Sequence, residues 1–335
     1  MLRSFHTLNK ILHPLLKHKC SRNFRQEYSD SGCCKSSKDE DSSKCIPYRV
    51  NKPQKESNER CPKPPKLPQI FDIACKNAVV VGGEDGIGYA AAHEILSNNA
   101  KMVGIFGKDV CKGVEACHAL NCRFGQKKAV FFKVDVTCAC EIECALCKIT
   151  QDFGRIDAIV NAFGICDGKN WENELNVNLI GMTRSTIMAH EYLASSKKGG
   201  VIVNIAGIFG FLPSAGCPTT SAAQHGIIGL SKSFGKPTLF KHTKVRVLTL
   251  CPGITTTKLF RKADKRALND FMGKCLNEEL KSMKQQRPEV CGSSVVWLLH
   301  CGDTGSVWLI EGNELYKIDC KDPYCCSELY RQFVS

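Results

Sequence analysis

The chain has 335 residues, 43% of them hydrophobic, and a formal net charge of +13 at pH 7. That composition suits a globular protein with a full core, and without a run of about 18 apolar residues it argues against a transmembrane helix. The 22 cysteines come with no secretory signal, so a disulfide framework is not the expected reading.

Positive charge is concentrated at the start. Residues 1–26 carry Arg3, Lys10, Lys17, Lys19, Arg22 and Arg25 with no acid before Glu27, and Phe5, Leu8, Leu12 and Leu15 recur at helical spacing. A basic, acid-free, amphipathic stretch is what a mitochondrial presequence requires; a solvated tail in a cytoplasmic protein is the alternative. Lys10 and His13 interrupt the apolar run that a secretory signal needs. Residues 27–72 are polar and broken by Pro62, Pro64, Pro65 and Pro68, so residues 1–72 read as an extension with a linker. A domain follows over 73–320, then a tail over 321–335.

Within the domain, short apolar runs alternate with helical patterns. Strands are predicted at 77–81, 101–106, 129–134, 156–160, 201–205, 245–250 and 306–310. Helices are predicted over 86–96, 110–123, 139–153, up to about 195, 218–234, and within 258–300. Strict alternation of strand and helix implies an α/β fold with a parallel sheet covered on both faces. The strands are nearly continuous apolar runs, as burial on two sides demands. Cys138, Cys140, Cys144 and Cys147 overlap the third helix, and the last three share one of its faces. That spacing lacks the two separated C-x-x-C pairs usual for a metal site, so thiols without a metal are expected. The basic stretch from Lys258 to Arg287 is mixed with Asp264, Asp270, Glu278 and Glu279, which reads as a solvated face, not a nucleic-acid surface.

The first strand runs into VGGEDGIG, with Gly82, Gly86, Ile87 and Gly88. A chain that turns sharply out of a strand, without side chains in the way, can bring the N–H groups of the next helix to a pyrophosphate. Strand before and helix after make this a dinucleotide loop. Glu84 and Asp85 sit inside it, where a carboxylate about 5 Å from a phosphate costs roughly 1–3 kcal/mol unless it points to solvent. An NAD site also wants an acid about 20 residues on, at the end of the second strand. Phe106 and Gly107 stand there, Asp109 comes about one turn late, and Lys108 could meet the 2′-phosphate of NADP.

Further segments follow in order: VDV at 134–136, IVNAFG at 159–164, KNWENELNVNLIG at 169–181, GGVIVNIAG at 199–207, CPGITTT at 251–257 and VWLIEG at 307–312. Together with the loop they resemble the short-chain dehydrogenase/reductase family over about residues 73–315, nearest the branch of insect alcohol dehydrogenases and hydroxyprostaglandin dehydrogenase. The resemblance implies a single three-layer Rossmann-type domain, a doubly wound parallel sheet of about seven strands, and a homodimer or homotetramer. It implies an NAD or NADP cofactor held by Gly82, Gly86, Ile87, Gly88, Asp135, Val136, Asn161, Gly164, Pro252, Gly253, Ile254 and Thr255. It also implies hydride transfer between that cofactor and an alcohol or carbonyl.

The catalytic positions depart from that pattern. The family uses a tyrosine whose pKa a lysine four residues on lowers, a substrate-orienting serine, and an asparagine that holds a proton-relay water and braces a kinked helix. By the resemblance the asparagine is Asn178, the serine position is Gly207, the tyrosine position Thr220 and the lysine position Gln224. No tyrosine lies between Tyr192 and Tyr316. The one Tyr-x-x-x-Lys spacing, Tyr48 to Lys52, falls in the linker. A threonine hydroxyl has no anionic form near neutral pH, and losing acid–base help costs about 10²–10⁴-fold. His225 is adjacent to Gln224, and neighbouring helix positions do not share a face. Ser214, Thr219 and Ser221 offer hydroxyls but no base. Three readings follow: a scaffold that has lost ordinary alcohol chemistry and either binds a dinucleotide with weakened affinity or serves as an assembly partner; a working oxidoreductase with another proton path; or a cysteine-rich structural protein. The segment over 255–285 reads as polar and charged, with no interpretable pocket.

Overall fold

The structure, a computed structural model, describes residues 70–318. The basic N-terminal stretch, Tyr48 with Lys52, and the tail over 321–335 lie outside the described residues. Ten strands form: β1 (Asn77–Val81), β2 (Met102–Gly107), β3 (Ala129–Lys133), β4 (Ala158–Asn161), β5 (Gly200–Ile205), β6 (Val245–Pro252), β7 (Ile254–Thr255), β8 (Gln285–Gln286), β9 (Val307–Glu311) and β10 (Glu314–Lys317). Eight make one sheet in the order β10-β9-β6-β5-β4-β1-β2-β3, and β7 pairs with β8 apart from it. All neighbours in the large sheet are parallel except β9 and β10. The sheet thus has seven parallel strands plus an antiparallel edge strand absent from the sequence-based expectation. Gly312 and Asn313, both at positive φ, turn the chain into that hairpin, a two-residue turn typical of such residues.

The helices are α1 (Gly86–Ser97), α2 (Val110–Phe124), α3 (Ala139–Phe153), α4 (Trp171–Leu175), α5 (Met182–Ser195), α6 (Pro218–Phe234), α7 (Pro237–Thr243), α8 (Asp270–Ser282) and α9 (Pro288–Cys301). Their starts are written in the sequence. Asp85, Asp109 and Asn269 accept N–H groups at the first turns of α1, α2 and α8, and α6, α7 and α9 begin with proline. Along β1 the side chains alternate between two apolar layers. Ala78 and Val80 join the core under α1 and α9; Val79 and Val81 join the one under α3 and α5. Gly292 lets α9 approach α1 closely, because a Cβ there would stand 2.6 Å from the Ala90 carbonyl.

Two features position the site. The chain leaves β1 towards β2 and β3 on one side and resumes with β4 on the other, so a crevice opens beyond the carboxyl ends of β1 and β4. The long helix expected to reach residue 195 is not regular. A π-helical segment, Asn176–Gly181, joins α4 to α5 and carries Asn178 to the crevice wall.

Candidate dinucleotide site

A cavity of about 700 Å³ fills that crevice, within the range of ligand pockets. It runs from Gly107 and Lys108 at the end of β2 and Asp135 just after β3, past Gly82, Gly86 and Ile87, to Gly207, Thr220 and Gln224. Val136, Gly164, Asn178, Pro252, Gly253, Ile254 and Thr255 also line it. Gly88 and Asn161 are not on the wall. A Cβ on Gly88 would meet the Gly82 carbonyl oxygen at 2.0 Å, so its role is to let α1 sit against the loop. Asn161 is fully buried, donating to Asn204 Oδ1 at 2.8 Å and accepting from Ser185 at 2.7 Å.

The loop has the shape of a phosphate cradle. Gly82 has φ +80°, and a Cβ on it would stand 2.9 Å from the Ala162 carbonyl. The first α1 amide, Gly86 N–H, donates to Asp85 Oδ1 at 2.8 Å, and Lys258 neutralises Asp85 at 2.8 Å. Asp85 therefore occupies one donor that an anion would use, but brings no net charge with it.

Glu84 departs from both positions considered from the sequence. Its carboxylate is half-buried at the cavity wall and folds over Gly107. A Cβ on Gly107 would lie 2.3 Å from Glu84 Oε2, so only glycine leaves the room. Burial pushes the Glu84 carboxyl above its ordinary range, against hydrogen bonds from the Glu84 and Lys108 amides. Oε2 is buried with no partner. The lysines nearby are already paired: Lys108 with Asp135 at 2.7 Å and Lys112 with Asp109 at 2.9 Å. Burial acts to raise the Asp135 carboxyl, but bonds from Lys108 and Thr137 hold it down at about 2. Phe106, at the position searched for an acid, is buried edge-on to Phe132.

At the other end, Asn178 bridges Ile165, accepting its N–H at 2.8 Å and donating to its carbonyl at 2.7 Å. Both ends of the amide are thus bracing the loop after β4. Gln224 extends beneath Gly207, where a Cβ would stand 2.6 Å from both amide atoms. The amide fills the space a side chain at 207 would need, and its Oε1 is buried without a partner. Three tyrosines are described, and none lines the cavity: Tyr89 packs on the core, Tyr192 bonds Thr150, and Tyr316 lies on β10. His225 Nδ1 bonds the Ser221 carbonyl at 2.9 Å, away from the cavity wall. Ser214 donates to Glu279, Ser221 donates to the Cys217 carbonyl at 3.2 Å, and Thr219 donates to Glu174 at 3.2 Å.

Several residues were not singled out from the sequence. Glu174, fully buried, accepts the Thr220 hydroxyl at 2.6 Å and the Asp167 N–H at 2.6 Å. Thr220 Oγ1 also lies 3.7 Å from Cys166 Sγ, and the Cys217 thiol contacts Cys166. Arg266 donates to the carbonyls of Cys166, Leu259 and Arg261 at 2.9–3.0 Å, tying the segment after β7 to the loop after β4. That segment had read as merely polar, yet Leu259 and Phe260 face the cavity, and Phe260 meets Phe209 edge-on at 5.8 Å. The signal was the apolar pair at 259–260 inside a basic run, too short to stand out from composition. At the start of α3, Cys138 and Cys140 bring their sulphurs to 2.8 Å, while Cys144 and Cys147 are exposed. Among the described residues no group of three or more His, Cys, Asp or Glu side chains is arranged to hold a metal.

A doubly wound sheet with a glycine cradle and a long cavity at its switch point defines a dinucleotide-type α/β protein. The model of the short chain dehydrogenase family matches residues 76–268. The chain belongs to that family. It is 34% identical over 250 residues to alcohol dehydrogenase 1 of Ceratitis capitata, covering 74% of this chain and 96% of the relative. It is 32% identical over 192 residues to the 15-hydroxyprostaglandin dehydrogenase [NAD(+)] of Rattus norvegicus, covering 57% of this chain and 72% of the relative. In fold it is similar to levodione reductase, with a TM-score of 0.64 at 19% identity over 72% of this chain and 97% of that one. L-sorbose reductase from Gluconobacter frateurii, solved with NADPH and L-sorbose, gives 0.62 at 20% identity, covering 72% of this chain and 98% of that one.

Proposed function

We propose that this short-chain dehydrogenase homologue binds a nicotinamide dinucleotide, prefers NAD, and has lost the ordinary hydride chemistry on alcohols and carbonyls. The observation that carries the loss is the arrangement at 207, 220 and 224. The Gln224 amide fills the space beside Gly207, and the Thr220 hydroxyl donates to Glu174. No phenol or ammonium among the described residues lines that end of the cavity except the Lys258 ammonium, which is paired with Asp85. The cofactor, when bound, would supply the hydride acceptor; Gly82, Gly86, Asp135, Gly164 and Thr255 are the residues that would hold it.

The preference for NAD rests on Glu84. Its partly buried carboxylate lies at the end of β2 over Gly107, where the acid that bonds the adenosine ribose was sought. With Lys108 and Lys112 committed to Asp135 and Asp109, Glu84 is the acid at that end that forms no ion pair among the described residues. A carboxylate accepts from ribose hydroxyls and repels a 2′-phosphate. The name of the rat relative carries NAD(+), which agrees with this reading.

One observation favours an active enzyme instead. Thr220 could pass a substrate proton to Glu174, 2.6 Å away. Basicity decides against it for alcohols: a carboxylate is a far weaker base than a phenolate, and an aliphatic hydroxyl is a far weaker acid than a phenol. Fluorescence titration of the full chain with NADH and NADPH tests the binding half of the reading. Saturable NADH binding, at least about tenfold tighter than NADPH, is expected from a repulsion of roughly 1–3 kcal/mol. No saturation with either would leave the cavity without its ligand and favour a structural role.

A further inference from the structure

We infer that Cys166 is a reactive thiol in this cavity, deprotonated through Thr220 by Glu174, and that it takes small α,β-unsaturated carbonyl compounds covalently. The inference goes beyond the loss of alcohol chemistry and does not depend on whether a dinucleotide binds.

The hydrogen-bond order carries it. Thr220 has one hydroxyl proton and two neighbours, Glu174 Oε1 at 2.6 Å and Cys166 Sγ at 3.7 Å. The shorter bond, to a carboxylate, takes that proton. Thr220 Oγ1 is then left as an acceptor towards Cys166, whose S–H can donate to it. On its other side Cys166 lies beside the Cys217 thiol. The Thr220 hydroxyl thus links the Cys166 sulphur to the Glu174 carboxylate. Glu174 is further held by the Asp167 N–H at 2.6 Å and by Thr219 at 3.2 Å.

When the Cys166 proton moves to Thr220 and the Thr220 proton to Glu174, one negative charge passes from carboxylate to sulphur and the cluster gains none. Thr220 then donates to the thiolate. The Cys217 thiol holds Cys166 below its ordinary value against the effect of burial, with Thr220 and the Arg266 guanidinium acting in the same direction and the Glu174 charge against it. The same contact and burial push the Cys217 thiol up, so the two sulphurs are not equivalent. A thiol is a much stronger acid than an alcohol, within reach of general-base help. The relay that is too weak for an alcohol suits a thiol.

A ligand is indicated independently. Gln224 lines the same cavity, is nine-tenths buried, and its Oε1 has no partner. Leu259, Phe260 and Phe209 give that end an apolar wall. An α,β-unsaturated carbonyl compound matches a thiolate beside such a wall. The sulphur forms a bond to the β-carbon, the C=C pair moves to the carbonyl oxygen as an enolate, and the α-carbon takes back the proton held on Glu174, through Thr220 or water. No oxidant or reductant enters.

The test is peptide-resolved alkylation of the full chain by N-ethylmaleimide at pH 7, without dinucleotide. Cys166, although 5% exposed, is expected to react at least about tenfold faster than the exposed Cys75. E174Q and T220A are each expected to slow Cys166 about tenfold or more, with Cys75 unchanged. The buried Cys251 and Cys291 report unfolding: if they become labelled in one variant, the other variant and the wild-type ratio decide. Cys166 reacting no faster than Cys75 in the wild type overturns the inference, and so does an unchanged Cys166 rate in a folded E174Q or T220A. Since no cofactor is present, neither result bears on dinucleotide binding.

Discussion

The triple variant G207S/T220Y/Q224K is expected to reduce NAD with short secondary alcohols at least about 10²-fold faster than the wild type, because it restores a general base. Tyrosine has an ordinary pKa near 10, and an adjacent ammonium brings it towards neutrality. The three changes act as a unit. A Cβ at 207 would stand 2.6 Å from the Gln224 amide, so G207S alone must push that amide into the cavity. Q224K removes the obstruction and supplies the cation. Tyrosine at 220 replaces a hydroxyl that is tied to Glu174 with one long enough to reach the cavity. Single substitutions should therefore fall far short of the sum, as groups that act together do. Steady-state NADH formation by the seven combinations measures this. A triple variant that folds and binds NADH yet turns over no alcohol would mean that more than the proton machinery is gone.

Glu84→Gln is expected to cut the preference for NADH over NADPH about tenfold or more, since it removes a charge facing the 2′-phosphate. The same change is expected to raise the melting temperature of the unliganded protein at neutral pH. The sign follows from burial, which holds the Glu84 carboxyl above its ordinary value. Between that value and the raised one, the folded state binds more protons than the unfolded state. Stability therefore falls as pH rises through the window, and at pH 7 the charged group is a net cost. Glutamine keeps the shape without the charge. NADH and NADPH titrations with a thermal melt read both effects. An unchanged cofactor ratio would move the discriminating group elsewhere, with Lys108 the first alternative.

Much of the fold was legible because its signals are local. Apolar runs of strand length, the aspartates and asparagine at helix starts, and the prolines opening α6, α7 and α9 each act within a few residues. The glycine loop and positions 178, 207, 220 and 224 could be singled out for the same reason: the loop is contiguous and the motifs come in order, and the structure places those four positions on the cavity wall. What was not legible depends on where side chains turn. Glu84 looked like an obstacle to a phosphate because its sequence neighbours are phosphate-binding glycines; only the missing Cβ of Gly107, far along the chain, lets it fold over β2. Glu174 belongs to a helix read for Asn178, and its bond to Thr220 spans 46 positions. Asn161 and Gly88 matched family motifs, yet one is a buried bridge between strands and the other a packing contact. β10 was missed because four partly exposed residues carry no apolar run.

A single-turnover experiment reaches the central point most directly: full chain in excess over NAD, mixed with a short secondary alcohol, followed by NADH fluorescence from neutral to alkaline pH. On the proposed reading the expected outcome is a flat trace at every pH from protein that binds the dinucleotide, because the carboxylate beside Thr220 is too weak a base for an alcohol's proton. A prompt burst of NADH from the unmodified chain would show that the cavity has a working base, and would reassign Thr220 and Glu174 to catalysis.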